Sequence, residues 1–357
     1  MTGKATRVLV INCGSATLKY KLFEGSAEVL ETLAGATDEI AQGYRSAVEK
    51  ALASLPSPPD IIAHRVVHGG GRLQELARID GQVLHVLREV TPLAPLHNGP
   101  ALEGIEATLG TGIPLVAALD TAYHVTLPPR AWRYAIPEFP GVRRYGFHGW
   151  SHRSVAERYA TLAGSSEPNI ITLHLGGGCS ATAILRGKSI DTSMGYSPLE
   201  GLVMGTRAGD LDPAILTHLV HDGMSLHQLE HMLHHEAGLK ALAGMSDLRE
   251  LERRDDPAAE LALDIFCYRI RKYVGAYLAA LEGAEALVFT GGIGEHSAEI
   301  RRRVCEGFGW AGLTIDAERN RQHGPRISED GCRLAAYAIP TDEEGLIARE
   351  TLRFMQR

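Results

Sequence analysis

Arg207 stands in "GYSPLEGLVMGTRAGDLDP", a glycine-flanked loop with Asp210 and Asp212 close behind. A guanidinium there could neutralise charge on a transferring phosphoryl group, or it could pair with those aspartates at the surface; the residues alone leave both open. Arg65, in "HRVVHGG", follows an apolar strand pattern and poses the same choice. Asp120 ends "IPLVAALD", where α/β proteins commonly place catalytic carboxylates, although a strand-end Asp also caps ordinary helices.

Two stretches repeat one arrangement: "VLVINCGSATLKYKLFEG" at 8–25 and "IITLHLGGGCSATAILRGKS" at 170–189 are each strand, small-residue bend, strand. A bend rich in Gly and Ser gathers N–H donors at one point, and nearby hydroxyls add more, so each is a natural phosphate cradle. One copy is usually just a bend, whereas a pair could hold two ends of a polyphosphate. "LRGKS" imitates the end of a Walker A loop, but the pattern needs Gly at 182 and has Thr182, amid strand-rich sequence. His148 and His152 in "FHGWSH" stand four apart like zinc ligands on a helix, yet Gly149 between them and the lack of "HExxH" speak against a metal. In "LHQLEHMLHHE", Leu226, Leu229 and Leu233 make an apolar stripe, which predicts that His227, His231, His234 and His235 sit mostly on a solvated helix face.

The 357 residues exceed the usual size of one core and predict two domains. The 45% hydrophobic and 22% charged shares are globular values, and no stretch has the length or purity of a membrane span. A formal net charge of -7 argues against a nucleic-acid surface and leaves anion binding to local arginines. Cys13, Cys179, Cys267, Cys305 and Cys332 are scattered and never spaced C-x-x-C, which points to a reducing cytoplasm. "MTGKATR" leads into a strand without the apolar core of a secretion signal.

The chemistry-bearing residues are carried by a regular alternation of elements. A hairpin is expected from Val8 to Phe23, helical spacing over 38–54, a strand at "IIAHRVV", and a proline-rich loop capped into a helix at "PLAPLHNGPALEGIEATLG". The polar stretch "GVRRYGFHGWSHRSVAERYATL" becomes a helix and marks the domain crossing. Then come strands at "NIITLHL", "ATAILRG" and near "SIDTS", helices from 213 to 283, and a strand in "EALVFTGGIGEH" running into a glycine-rich loop. "RLAAYAIP" is a short strand, and "TDEEGLIARETLRFMQ" an acid-led helix that folds back on the first domain.

Taken together, "NCGSATLK", "HRVVHGG", "APLHN", "DTAYH", "RRYGFHGWSH", "HLGGGCS", the long Arg207 stretch, "GGIGEHS" and "PTDEE" strongly resemble the acetate kinase family of the actin, Hsp70 and sugar kinase superfamily. The resemblance implies an α/β, two-domain actin-like fold with duplicated ribonuclease H-like domains: residues 1–150 completed by about 341–357, and residues 151–340 as the nucleotide-binding domain. It implies reversible in-line transfer of the ATP γ-phosphoryl group to acetate, giving acetyl phosphate and ADP. The cofactor would be magnesium, with manganese as a substitute, and the enzyme a cytoplasmic homodimer binding neither nucleic acid nor membrane. By the same resemblance Arg65 and Arg207 grip the carboxylate and the phosphoryl group, with His148 hydrogen-bonding the latter. Asp120 and Glu343 take the acidic positions tied to magnesium and catalysis, Asp120 as metal ligand or as substrate orienter, and Asn12 joins Glu343 at the metal. Asn12, Ser15 and Lys19 belong to the first cradle; His174, Gly176, Gly177 and Gly178 to the second. Asp247, Leu248, Arg249, Gly292, Ile293 and His296 line the nucleotide pocket, and Val67, Leu96, Phe147 and Pro198 the acetate methyl pocket.

Some positions depart from the family pattern. Ala16 and Thr17 replace serines in the first bend, Gly177 replaces an Asn, Gly291 stands where Ala is usual, His296 replaces an Asn, and the 24–60 region is short. A propionate or butyrate kinase on the same scaffold is the nearest alternative, and a non-catalytic nucleotide-dependent clamp a more distant one.

Overall fold

The computed structural model describes residues 5–14, 17–40 and 43–357, and its backbone divides into two compact units. The first comprises residues 1–125, 147–150 and 342–357. Its sheet runs β3-β2-β1-β4-β6-β5, with β1 Thr6–Cys13, β2 Thr17–Gly25, β3 Leu30–Glu39, β4 Ile61–Val66, β5 Ala77–Arg78 and β6 Leu115–Leu119. The expected hairpin is present: β1 and β2 are antiparallel, with Asn12 opposite Lys19 and Cys13 opposite Leu18. β4 lies parallel to both β1 and β6, and Arg65 is level with Ala118.

Alternation along these strands sends side chains to two cores. Val8, Val10, Ala63, Val116 and Ala118 pack on one face with Trp150 and with Leu346, Ile347 and Leu352 of the C-terminal helix Glu343–Met355. Leu9, Ile11, Leu18, Leu22 and Ile62 pack on the other with Val48 of the helix Tyr44–Ser54. Each such buried Val, Leu or Ile contributes about 1.5–3 kcal/mol. Elements not anticipated include β3 and the helix Gly81–Val90. β3 is an edge strand with mostly exposed side chains, so its alternation is faint; the helix Gly81–Val90 is capped by Asp80, whose carboxylate accepts from the Val83 N–H at 2.8 Å.

The second unit comprises residues 126–146 and 151–341. Residues 126–146 thus pack with the second unit: Thr126 donates to the Ser189 carbonyl at 2.7 Å, and Arg144 to the carbonyls of Thr192, Ser193 and Met194. Its sheet runs β11-β10-β7-β8-β9, with β7 Ile170–Leu175, β8 Cys179–Leu185, β9 Lys188–Thr192, β10 Ala286–Thr290 and β11 Ala335–Ala338. β7 and β8 form the second hairpin, closing at Leu175 opposite Cys179, and β10 lies parallel to β7 and β11. "LRGKS" is the β8–β9 bend, with Arg186 and Gly187 both at positive φ, so it is not a strand-to-helix phosphate loop. The glycine-rich loop expected after β10 is instead the first turn of a short helix, Gly291–His296.

Candidate active site

In the first unit, Arg65 and Asp120 stand at the C-terminal ends of adjacent parallel strands, where open α/β sheets bind ligands. The Asp120 N–H donates to the Val66 carbonyl at 2.9 Å, which levels the two positions. Their side chains form a bidentate pair, Arg65 Nε to Asp120 Oδ1 at 2.8 Å and Nη2 to Oδ2 at 2.7 Å, while Arg65 Nη1 lies 3.1 Å from Glu343 Oε2. Burial would lower the arginine's pKa, but Asp120 and Glu343 outweigh it and raise it. Burial raises that of Asp120, against the pull of Arg65 and with a further push from Glu343. Asp120 therefore orients Arg65 and does not cap a helix.

Glu343 opens the C-terminal helix, and its Oε2 is buried with no hydrogen bond. Glu344 is engaged differently: Lys19 Nζ lies 2.8 Å and Lys21 Nζ 3.5 Å from its carboxylate. Lys19 is thus held by an internal carboxylate, a partner that sequence reasoning missed although the doubled acid of "DEE" signalled it. Asn12 faces Lys19 across the hairpin and makes no side-chain hydrogen bond among the described residues. A buried carboxylate shared with Arg65 and a carboxamide oxygen suit a hard, oxygen-seeking cation such as magnesium.

His148 adopts φ 55°, a left-handed conformation uncommon for a residue with a side chain. Its neighbours impose it. The Phe147 carbonyl is bonded to His124 Nε2 at 2.9 Å, and the Gly149 N–H donates to the Asp120 carbonyl at 2.9 Å. A Cβ on Gly149 would lie 2.2 Å from that carbonyl oxygen, so only glycine fits. Phe147 is buried with the His68 ring edge-on at 5.5 Å, and the HGG turn is stapled by Asn98, which both donates to and accepts from the His68 backbone. Val67 is half-buried one residue away. Leu96 lies in the helix Pro95–Thr108 with its side chain outside the described set, and Ser15 lies outside the described residues altogether. His152 is no metal ligand: both ring nitrogens are spent in the core on Thr172 Oγ1 at 2.7 Å and Ser180 Oγ at 2.6 Å.

In the second unit, the bend 176–178 is tight, with the Gly176 N–H bonded to the Gly178 carbonyl at 3.0 Å and His174 Nδ1 2.7 Å from Ser151 Oγ. Gly177 is exposed, without a positive φ and with open space where a side chain would go. Two other segments border this bend: a Cβ on Gly176 would come within 4.0 Å of the Gly292 N, and one on Gly205 within 3.8 Å of the Gly177 O, with the Ser246 O a further 3.2 Å neighbour of Gly205. Gly291 has φ 76°, and a Cβ there would lie 2.7 Å from the Leu175 carbonyl, so glycine is the fitting residue at this departure. Glu295 Oε1 accepts from the Gly291 and Thr341 N–H groups, each at 3.1 Å, clipping the turn that holds Gly292 and Ile293; this residue was also missed, though it directly follows "GGIG". Asp247 caps the turn 248–251 and pairs with the exposed Arg249. Leu248 points into the core, so only its backbone can meet a ligand. His296 is exposed, with the His323 ring edge-on at 6.1 Å.

Arg207 settles one choice left open above. Asp210 is taken by the Gly201 N–H at 2.8 Å, by Tyr273 and by Arg269, and Asp212 caps the helix Pro213–His221. Arg207 pairs with neither: among the described residues its guanidinium makes one hydrogen bond, from Nη1 to the carbonyl of buried Pro198 at 2.8 Å, and burial lowers its pKa. A desolvated guanidinium with no carboxylate beside it among the described residues could receive an anion. The histidine-rich segment is not the regular solvated helix expected. Leu226 is 68% exposed, the helix ends at His231, a π-turn follows over Met232–Glu236, and half-buried His234 is pushed below the ordinary histidine pKa by burial and by Arg207. Among the described residues no group of His, Cys, Asp or Glu is arranged to hold a metal ion by itself.

Comparison with known proteins identifies the family. The profile of the Acetokinase family matches residues 46–349. The chain is 48% identical to the acetate kinase of Solibacter usitatus, covering 97% of both proteins, and 44% identical to that of Chloroherpeton thalassium, covering 98% of this chain and 99% of the other. The latter alignment spans 414 positions, more than the 357 here, so the relative carries residues that this chain lacks. Among solved structures, Porphyromonas gingivalis acetate kinase superposes with a TM-score of 0.85 at 36% identity, covering 98% of this chain and 100% of that one. A propionate kinase from Francisella tularensis gives 0.88 at 35%, covering 97% and 98%. The fold is therefore the two-domain actin-like α/β architecture, and the chain belongs to the acetokinase family.

Proposed function

We propose that this protein is an acetate kinase, interconverting ATP and acetate with ADP and acetyl phosphate. The observation that carries the reading is Arg207, a desolvated guanidinium in a glycine loop whose neighbouring aspartates are all committed elsewhere. Acetate offers one carboxylate and one methyl, so a receptor for it needs cations and a small apolar wall. Arg65, fixed by Asp120 and beside Glu343, keeps N–H groups for the acetate carboxylate, and Phe147 and Val67 supply an apolar wall for the methyl. Acetate is already ionised at neutral pH, so attack on the γ-phosphorus needs no strong base. Catalysis then consists of positioning and charge neutralisation. Arg207 and His148 neutralise the transferring group, the 174–178 and 291–293 turns hold the nucleotide phosphates, and Asp247 and Arg249 border the nucleoside. Magnesium held by Glu343 and Asn12 would offset phosphate charge. We place the enzyme in the cytoplasm as a homodimer; five free cysteines support a reducing compartment.

The test is formation of acyl phosphate, trapped as the hydroxamate, from acetate, propionate and butyrate. Acetate should be fastest and propionate a slower second, since one methylene in an apolar pocket is worth about 1–3 kcal/mol. No product from any of them, with ATP still bound, would leave a nucleotide-dependent clamp instead.

A further inference from the structure

The segment 232–240 is bonded to the Arg207 loop along one edge. Thr206 Oγ1 donates to the His234 carbonyl at 2.8 Å, and the N–H groups of Ala237, Leu239 and Lys240 donate to the carbonyls of Thr206, Met204 and Gly205 at 3.1, 3.0 and 2.9 Å. Inside the loop, the Met204 N–H donates to the Arg207 carbonyl at 2.9 Å. Gly238, at φ 64°, admits no side chain, since a Cβ would lie 2.2 Å from the Met204 O and 2.6 Å from the Arg207 O. The π-turn explains why a hydroxyl is needed. Within a widened turn the His234 carbonyl would accept from the Leu239 N–H, but that N–H is already given to Met204, and Thr206 satisfies the stranded acceptor.

Among the described residues the Arg207 guanidinium has one hydrogen bond and no carboxylate to aim it, so its direction is set by the loop beneath it. Thr206 supplies the side-chain hydrogen bond that joins this loop to the histidine-bearing turn. We infer that Thr206 is a positioning residue for phosphoryl transfer, holding the 204–207 backbone so that the Arg207 guanidinium meets the phosphate group; this rests on the reading of Arg207 given above.

The test compares Thr206→Val, which keeps the shape and removes the hydroxyl, with Thr206→Ser, which keeps the hydroxyl. In the valine variant kcat for acyl phosphate formation should fall about a hundredfold, the cost of misplacing a group near the chemistry. KM for ATP should stay within about threefold, and the serine variant should recover most of kcat. Calorimetric titration with inorganic phosphate reads the same device without turnover: the wild type binds, and Arg207→Ala and Thr206→Val each bind at least about tenfold more weakly. A valine variant with normal kcat and phosphate affinity, or a loss that serine does not rescue, or one that raises KM for ATP and lowers the melting temperature in step, would overturn the inference. A wild type that binds phosphate through Arg207 but phosphorylates no short carboxylate would sink the acceptor assignment and leave Thr206 standing.

Discussion

Arg65 and Arg207 are both arginines withdrawn from solvent, yet one sits between two carboxylates and the other faces a single backbone carbonyl. In the first unit the protein supplies the counter-charge, so the guanidinium is neutralised and aimed before any ligand arrives. In the second the counter-charge is withheld, so the burial cost is offset when an anion binds. On the proposed function, the contrast separates a preorganised orienting group from one whose attraction is saved for the reacting phosphate.

Removing each arginine should break this comparison most visibly. Arg207→Ala is expected to lower kcat by about 10³ or more while leaving stability unchanged or slightly improved. Arg65→Ala should also lower turnover, but it strands Asp120 beside Glu343 and should cost about 3–5 kcal/mol in a urea unfolding curve. Equal stability losses in the two variants would refute the difference in balance.

A smaller effect concerns the first unit, where His64 and His124 are fully buried. Burial pushes them from 6.5 down to about 3 and about 4. Both stay neutral in the fold while the unfolded chain protonates below about 6.5, so the unfolded state binds more protons and stability falls as pH drops from there toward 4. Each histidine adds a slope of about 1.4 kcal/mol per pH unit. His64→Gln should reduce the slope of the unfolding free energy against pH by that amount, and an unchanged slope would remove His64 from the account. Smallest of all, Gly177→Asn should fold normally, because its site is open, and should tighten ATP binding by about fivefold, one added hydrogen bond's worth.

Much of the framework was legible because period and punctuation agree. β6 is an unbroken apolar run closed by Asp120, β1, β4, β7 and β10 are mostly apolar runs with a Gly just beyond or a few residues on, and the motifs sit on the bends between them. β3 was not legible, since an edge strand with exposed side chains has no buried face to print on its sequence. Arg65 and Arg207 were legible as residues but not as environments. Whether an arginine meets Asp120, fifty-five positions away, or is refused by Asp210, three positions away, depends on which acids the fold has already engaged. The histidine-rich stretch misled for the same reason: helical spacing was present, but Thr206 and Met204 captured the backbone groups that would have continued the helix.

The helix Glu343–Met355 closes the core of a unit whose first strand is Thr6–Cys13. A chain emerging from the ribosome must therefore finish the whole second unit before the first can bury Val8 and Val10 under Leu346 and Ile347. Nascent chains halted before residue 343 would present that apolar sheet face to chaperones, and only with the last helix would Glu343 reach Arg65.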